Sequence, residues 1–310
     1  MARPIIIDTD PGQDDAIAIL LALASPELKV LGLTAVAGNV PLHLTELNCR
    51  RLLALANRTD VPVAAGCSRP MVRRLVTAEQ VHGETGLDGA DLPMPTVPLD
   101  PRHAVDFIIE TVLASPEPVT LCPLGPLTNI GMALVTRPEI AKNLREIVLM
   151  GGAMHEPGNT TPVAEFNIYV DPHAAHLVFE SGVPVTMMPL DVTHRALTTP
   201  ERLARLRAKG TPVTTASADL LQFYGKFDED RYGFPGAPLH DPCTIAYLLK
   251  PELFTGRTVN VSIEHLSELT MGQTVCDWWS IMGKTPNAQV FNRIDADGFY
   301  DLVIERLARL

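Results

Sequence analysis

Residues 4–25, PIIIDTDPGQDDAIAILLALAS, constrain this chain more than any other stretch. Pro4 to Ile7 is a short apolar run of the kind that forms a buried strand. Four carboxylates, Asp8, Asp10, Asp14 and Asp15, follow within eight residues. The next stretch, 16–23, is apolar on nearly every side, as in a helix buried between other elements. Pro11-Gly12 marks a turn at the junction. The reading is strand, acidic turn, helix.

Two unit charges about 4 Å apart repel by about 4 kcal/mol at an effective dielectric of about 20. Acids crowded at a buried sheet end therefore need neutralising. The helix N-terminus carries about half a positive charge and takes up part of the load, because Asp14 and Asp15 fall in its first turn. A bound hard cation takes up the rest, and all-oxygen ligand sets favour Ca²⁺ or Mg²⁺. The alternative is that Asp14 or Asp15 only caps the helix while the other acids are solvated.

Apolar, β-branched runs recur at 30–36, 61–64, 119–122, 147–150, 183–188 and 259–263. Helical patterns separate them, at 42–57, 104–113, 128–135, 174–180, 201–209 and 213–227. Such alternation predicts βαβ units and an α/β fold, an open and mostly parallel sheet with helices on both faces. No repeat or linker composition interrupts the chain, so residues 1–310 read as one domain. The unusual polar residues fall where the predicted strands end: Asp8 and Asp10, Gly38-Asn39, Leu124-Gly125-Pro126, Gly151-Gly152 and Asp191. In open parallel sheets ligands bind outside the carboxyl ends of the strands.

A net charge of −11 argues against nucleic acid or an anionic membrane as partner. No apolar run approaches the roughly 18 residues of a membrane span, and MARPIII leads directly into a strand without the pattern of a signal peptide. Five widely spaced cysteines with no C-x-x-C read as the reduced thiols of a cytoplasmic protein.

Two further stretches carry chemistry. In GNTTPVAEFNIYVDP, 158–172, Glu165 and Asn167 place an acid and an amide two residues apart in a polar loop, a pairing suited to hydroxyl groups. Asp171-Pro172 reads as a helix cap without further role. In HDP, 240–242, Asp241 is either a cap for the helix that follows or a metal carboxylate, beside His240, which titrates near neutral pH. His82 lies in the glycine-rich loop VHGETGLDG, where a neutral surface histidine is the simplest reading. His173 and His176, with Glu180, read as a solvated helix face, since nitrogen and sulfur ligands for zinc are otherwise missing.

These motifs together resemble the nucleoside hydrolase family, which cleaves the N-glycosidic bond of ribonucleosides. The resemblance runs through DTDPGQDD at 8–15, AGN at 37–39, HGETGLDG at 82–89, LGPLTN at 124–129, MGGA at 150–153, GNTTPVAEFN at 158–167 and HDP at 240–242. It implies Rossmann-like topology and a bound Ca²⁺. By that likeness Asp10, Asp15 and Asp241 supply carboxylate ligands and Leu124 its backbone carbonyl, with Asp10 also the general base. Asp14, Asn39, Asn159, Glu165 and Asn167 would hold ribose hydroxyls, and Met150 would line the sugar pocket. His82 would sit near the base, and His240 would assist its departure.

Two positions depart from the family pattern: Leu124 stands where threonine is frequent, and Asp228 where an amide is expected. Tyr232, in the base-contacting segment 222–235, matches a tyrosine of pyrimidine-preferring relatives. The resemblance thus implies a Ca²⁺-dependent ribonucleoside hydrolase that prefers uridine and cytidine, a cytoplasmic homotetramer serving pyrimidine salvage. The alternatives are a broad or purine-preferring nucleoside hydrolase, a metal-dependent phosphohydrolase with its D-x-D after the first strand, and a nucleoside-binding protein without turnover.

Overall fold

The computed structural model describes residues 2–310, apart from the side chains of Asp228 and Tyr232. Its strands in chain order are β1 (Arg3–Thr9), β2 (Leu28–Ala35), β3 (Val63–Ala65), β4 (Leu99–Asp100), β5 (Val119–Pro123), β6 (Leu144–Met150) and β7 (Val185–Met188). There follow β8 (Leu197–Thr198), β9 (Ala237–Pro238), β10 (Phe254–Val259), β11 (Val261–Ile263), β12 (Thr274–Cys276) and β13 (Ala288–Ile294). Nine of them form one sheet in the order β10-β13-β7-β6-β5-β1-β2-β3-β4. Only β10 and β13 pair antiparallel within it. The mostly parallel α/β sheet expected from sequence is present.

The chain starts at β1, steps outward to β4, then crosses back to lay β5 on the other side of β1. Such a reversal opens a crevice at the carboxyl ends of the strands beside it. Alternation along β1 shows how both faces are covered. Ile5 and Ile7 join the core on the side of helix α1 (Gln13–Leu23), whereas Ile6 joins the core on the opposite side. Every residue of α1 is buried, which explains why its sequence lacks a polar face.

Sequence and structure part at three places. The run 259–263 is not one strand. Val259 pairs with Ala288 in the large sheet, while Val261 pairs with Cys276 in a separate two-stranded ribbon. The break falls at Asn260, whose carbonyl accepts the Asp277 N–H at 2.8 Å. Apolar residues flank it on both sides, so no change of period announces it. The helix predicted over 213–227 continues as Pro212–Tyr232 and ends at Gly233, whose φ of 67° is left-handed. The polar stretch 158–172 also contains a short helix, Phe166–Val170, with Glu165 as its cap.

Among the described residues, no helix is long and apolar enough to cross a membrane. Leu20 is fully buried in α1, and truncating such a side chain costs about 2–5 kcal/mol. Leu20→Ala should therefore lower the urea or thermal midpoint markedly. An unchanged midpoint would show that α1 is not held in the core as described.

Candidate active site

The site begins where β1 stops. Its register sets Asp8 beside Thr34 and Pro123, so the chain emerges between the loops that follow β2 and β5. Gly38 and Gly125, one from each loop, press against the Asp10 carboxylate, and a Cβ on either would collide with it. One carboxylate oxygen of Asp10 accepts the Asn39 N–H at 2.7 Å. This close approach is why AGN and LGP carry glycine.

Asp15 does two jobs at once. It accepts the Gly12 N–H at 2.9 Å, closing the N-terminus of α1, and the Thr9 hydroxyl at 2.5 Å. It also gives an oxygen to a cluster with Asp14 and Asp241, in which one oxygen of each lies within 4.8 Å of the others. Capping and clustering, set against each other by the sequence, coexist. Asp241 makes no side-chain cap to its own helix, Pro242–Leu249. Asp10, expected as a ligand beside Asp15 and Asp241, is not in the converging set. Asp14 joins Asp15 and Asp241 in that set, while Asp10 gives one oxygen to the Asn39 N–H and lies between Gly38 and Gly125.

All four acids are buried. Burial, reinforced by Asp15, pushes the Asp14 carboxyl up to about 8. Burial and neighbouring carboxylates likewise hold Asp10 and Asp241 well above the usual range, and burial raises Asp15. Among the described residues none of the four forms an ion pair with lysine, arginine or histidine. Converging, dry, uncompensated carboxylate oxygens fit a hard divalent cation and do not fit zinc.

Above the acids lies a cavity of about 200 Å³. Asp14, Asp15 and Asp241 form its floor, with Asn39, Leu124 and Met150 beside them. Asn159, Glu165 and Asn167 line it from the 158–172 stretch, and His82 and His240 from elsewhere in the chain. Several of these groups have a fixed orientation. Asn167 Nδ2 donates to the Leu124 carbonyl at 2.6 Å and the Met150 carbonyl at 3.2 Å, leaving its oxygen as an acceptor. Asn159 Oδ1 accepts the Phe166 N–H at 2.9 Å, leaving its amide nitrogen as a donor. The Glu165 carboxylate takes the N–H groups of Gly152, Asn167 and Ile168, while burial raises its pKa.

His82 is buried, not a surface histidine. It ends the short helix Glu79–His82, and its ring stacks on Tyr224 with centroids 5.5 Å apart. Gln13 Nε2 donates to the His82 and Asp88 carbonyls, so Gln13 Oε1 accepts from His82 Nδ1 at 2.8 Å. Burial pushes this imidazole down to about 4. The neutral ring therefore keeps Nε2 as an acceptor. His240 Nδ1 meets the Thr193 hydroxyl at 2.7 Å. The side chain of Tyr232 lies outside the described residues.

The structure adds His194, Tyr224, Phe227 and Arg231 to the lining. They stand in helical or turn segments where nothing in the local pattern separates a pocket residue from a surface one. Asp191 is not a pocket residue: it sits in the turn Leu190–Thr193 and accepts the N–H groups of Met154, His155 and Glu156. Asp171 caps the helix Pro172–Phe179 through the Ala174 N–H at 3.0 Å, as the sequence predicts. His173 and His176 are not a simple solvated face, because both rings pack against His265, at 5.6 and 4.2 Å.

The profile of the inosine-uridine preferring nucleoside hydrolases matches residues 5–301. This chain belongs to that family. It is a ribonucleoside N-glycosyl hydrolase. It is similar to the pyrimidine-specific ribonucleoside hydrolase RihA of Escherichia coli K12, with 52% identity over 99% of each chain. Among solved structures it is similar to the purine-preferring ribonucleoside hydrolase of Gardnerella vaginalis, with a TM-score of 0.92 and 33% identity over 99% of this chain and 98% of that one. A plant nucleoside hydrolase, PpNRh1, matches with a TM-score of 0.92 and 32% identity over 99% of both chains.

In this nucleoside hydrolase, a methyl group at Gly125 must displace the Asp10 carboxylate. A misplacement of about 1 Å can cost about 10²-fold in rate. Gly125→Ala should therefore lower kcat/KM by about that factor while the far-ultraviolet circular dichroism is retained. Wild-type turnover in a folded variant would remove Asp10 from the working site.

Proposed function

We propose that this nucleoside hydrolase prefers pyrimidine ribonucleosides, uridine and cytidine, and works with one Ca²⁺ held by its buried acids. The observation that carries the base preference is the 52% identity to a pyrimidine-specific enzyme along 99% of the chain. The proposed unit is a single domain of 310 residues, assembled as a cytoplasmic homotetramer serving pyrimidine salvage, in line with the family resemblance.

Breaking an N-glycosidic bond passes through an oxocarbenium-like transition state, so the site has to stabilise positive charge on the ribose and deliver water. Asp14, Asp15 and Asp241 hold the cation in this reading, with Asp10 and the Leu124 carbonyl as its further neighbours. Bound there, Ca²⁺ supplies a fixed positive charge that orients a water and lowers its pKa. Asp10 takes the proton from the attacking water, and its clasp between Gly38 and Gly125 holds it still for that task. The acceptor oxygen of Asn167, the donor of Asn159 and the amide of Asn39 are oriented before substrate arrives, and Glu165 and Asp14 accept from sugar hydroxyls. Met150 closes the apolar side of the sugar and His82 flanks the base, where the family resemblance also implies Tyr232.

Two measurements test this. Protein purified without chelator should carry about one calcium per chain by elemental analysis, lose activity on exhaustive chelation and regain it with Ca²⁺. Full activity in metal-free protein would reject the cation. A panel of uridine, cytidine, inosine, adenosine and 2′-deoxyuridine tests the substrate. Uridine should outrun inosine, and 2′-deoxyuridine should fall by about 10⁴, the penalty a site imposes when its buried polar groups are left unpaired. Inosine ahead of uridine would favour the second reading, a purine-preferring enzyme, which the Gardnerella vaginalis structure supports at lower identity.

A further inference from the structure

The Glu165 carboxylate lines the cavity, and one of the three N–H groups that hold it comes from outside its own helix. The Asn167 and Ile168 amides belong to the helix that Glu165 caps. The third, at 2.9 Å, belongs to Gly152, in the turn that follows β6. Residues 151–153 lie in neither strand nor helix, so their backbone groups need partners from elsewhere. Gly151 donates to the Met188 carbonyl at 3.2 Å, and the Gly152 carbonyl accepts the Leu190 N–H at 2.9 Å. Both backbone groups of Ala153 end on a single hydroxyl. Thr274 Oγ1 accepts the Ala153 N–H at 2.9 Å and donates to the Ala153 carbonyl at 2.6 Å.

Thr274 opens β12, in the ribbon β11-β12 that stands apart from the nine-stranded sheet. Thr274 and Ala153 are both buried, so bulk water does not compete for the hydroxyl. The fit is close on the other side as well. Gly152 has a φ of 84°, and a Cβ there would come 2.8 Å from Thr274 Cγ2, which explains the second glycine of MGGA. Gly272, two residues before Thr274, lies where a Cβ would come 2.8 Å from Tyr169 Cα and 3.2 Å from Ala164 Cβ. The ribbon therefore bears on both segments that meet at Glu165, the turn 151–153 and the stretch 164–169. It is itself anchored away from the cavity. Asn287 Oδ1 accepts the Val261 N–H at 2.8 Å, and Asn287 Nδ2 donates to the Val261 and Phe179 carbonyls at 3.0 and 3.1 Å.

We propose that Thr274 is a positioning residue for the ribose: by pinning Ala153 it sets the Gly152 N–H, and through it the aim of the Glu165 carboxylate at a sugar hydroxyl. This deepens the ribonucleoside-hydrolase reading and rests on the part of it that gives Glu165 to the ribose. A single hydroxyl stands in for a pair of strand hydrogen bonds, because it is acceptor and donor to the same residue. Valine has nearly the same shape and neither capacity. In Thr274→Val the buried N–H and carbonyl of Ala153 lose their partners together, and such groups are costly to leave unpaired. The turn shifts to satisfy them, the Gly152 N–H leaves Glu165 Oε2, and the carboxylate is held by its own helix alone. The charge of the cavity is unchanged. Only the direction of one acceptor moves.

The full chain with its cation is assayed on uridine, or on inosine if that is the better substrate, and on its 2′-, 3′- and 5′-deoxy analogues. Misplacing a group by about 1 Å can cost about 10² in rate, so Thr274→Val should lower kcat/KM on the ribonucleoside by about 10-fold to 10²-fold. Glu165→Gln, measured alongside, marks the hydroxyl that Glu165 takes, because its penalty disappears on the analogue lacking that hydroxyl. The Thr274→Val penalty should disappear on the same analogue and persist on the other two. Thr274→Ser keeps the hydroxyl and should restore most of the rate. If the valine variant does not fold, Thr274→Ala frees the same backbone groups and takes its place. A penalty spread equally over all four substrates, undiminished turnover without the hydroxyl, or a serine variant as impaired as the valine one would each overturn the assignment. A Glu165→Gln variant with no penalty on any substrate would overturn the reading of Glu165 beneath it, a different and separable result.

Discussion

Everything in this fold answers to the burial of like charges at the point where the sheet reverses. Asp10, Asp14 and Asp15 come from one stretch and Asp241 from a segment far along the chain, and all four are packed where water cannot screen them. A protein holds such a cluster only if something else recovers the cost. Here the compensations are visible as geometry. The Gly12 and Asn39 amides and the Thr9 hydroxyl donate to it, and the N-terminus of α1 points at it. Those neutral donors do not balance several anions, which is why the donor set reads as a cation site.

The same economy of parts recurs beside the acids. Asp15 caps a helix and joins the cluster. Asn167 ties the end of β5 to the end of β6 while keeping its acceptor oxygen for a ligand. Glu165 starts a helix and lines the cavity. The groups that fix the backbone are the groups presented to substrate, so the site is rigid before anything binds, which is the condition for efficient electrostatic stabilisation.

How far the sequence revealed this depended on how local each signal was. The parallel sheet and the acidic turn were legible because apolar runs and their terminal Asp, Asn and Gly residues follow one another in sequence. The convergence of Asp14 with Asp15 and Asp241 was not, nor the turn of the Asp10 carboxylate to the Asn39 amide between Gly38 and Gly125, since both hinge on side-chain direction. His82 read as a surface residue because its partners, Gln13 and Tyr224, lie far away in the chain. His194 carried no motif at all. Only the fold brings it to the cavity wall, beside the His240 ring. The split at Asn260 was hidden for another reason: strands of two different sheets share one alternating stretch, Val259, Val261 and Ile263, with no glycine or proline between them.

The strand order carries a consequence for how the chain comes into being. β1 is the first strand made, yet it lies in the middle of the sheet, and its partner on one side, β5, is separated from it by three intervening strands. Asp241 arrives later still. During synthesis the early acids must therefore wait, hydrated, on an exposed half-sheet, because the last member of their cluster is still in the ribosome. Such late closure is slow where distant segments must pair, and it leaves an unfinished sheet edge open to other chains. A chain cut short before Asp241 would therefore be dangerous as well as inactive: an apolar, half-built sheet whose acids still face water.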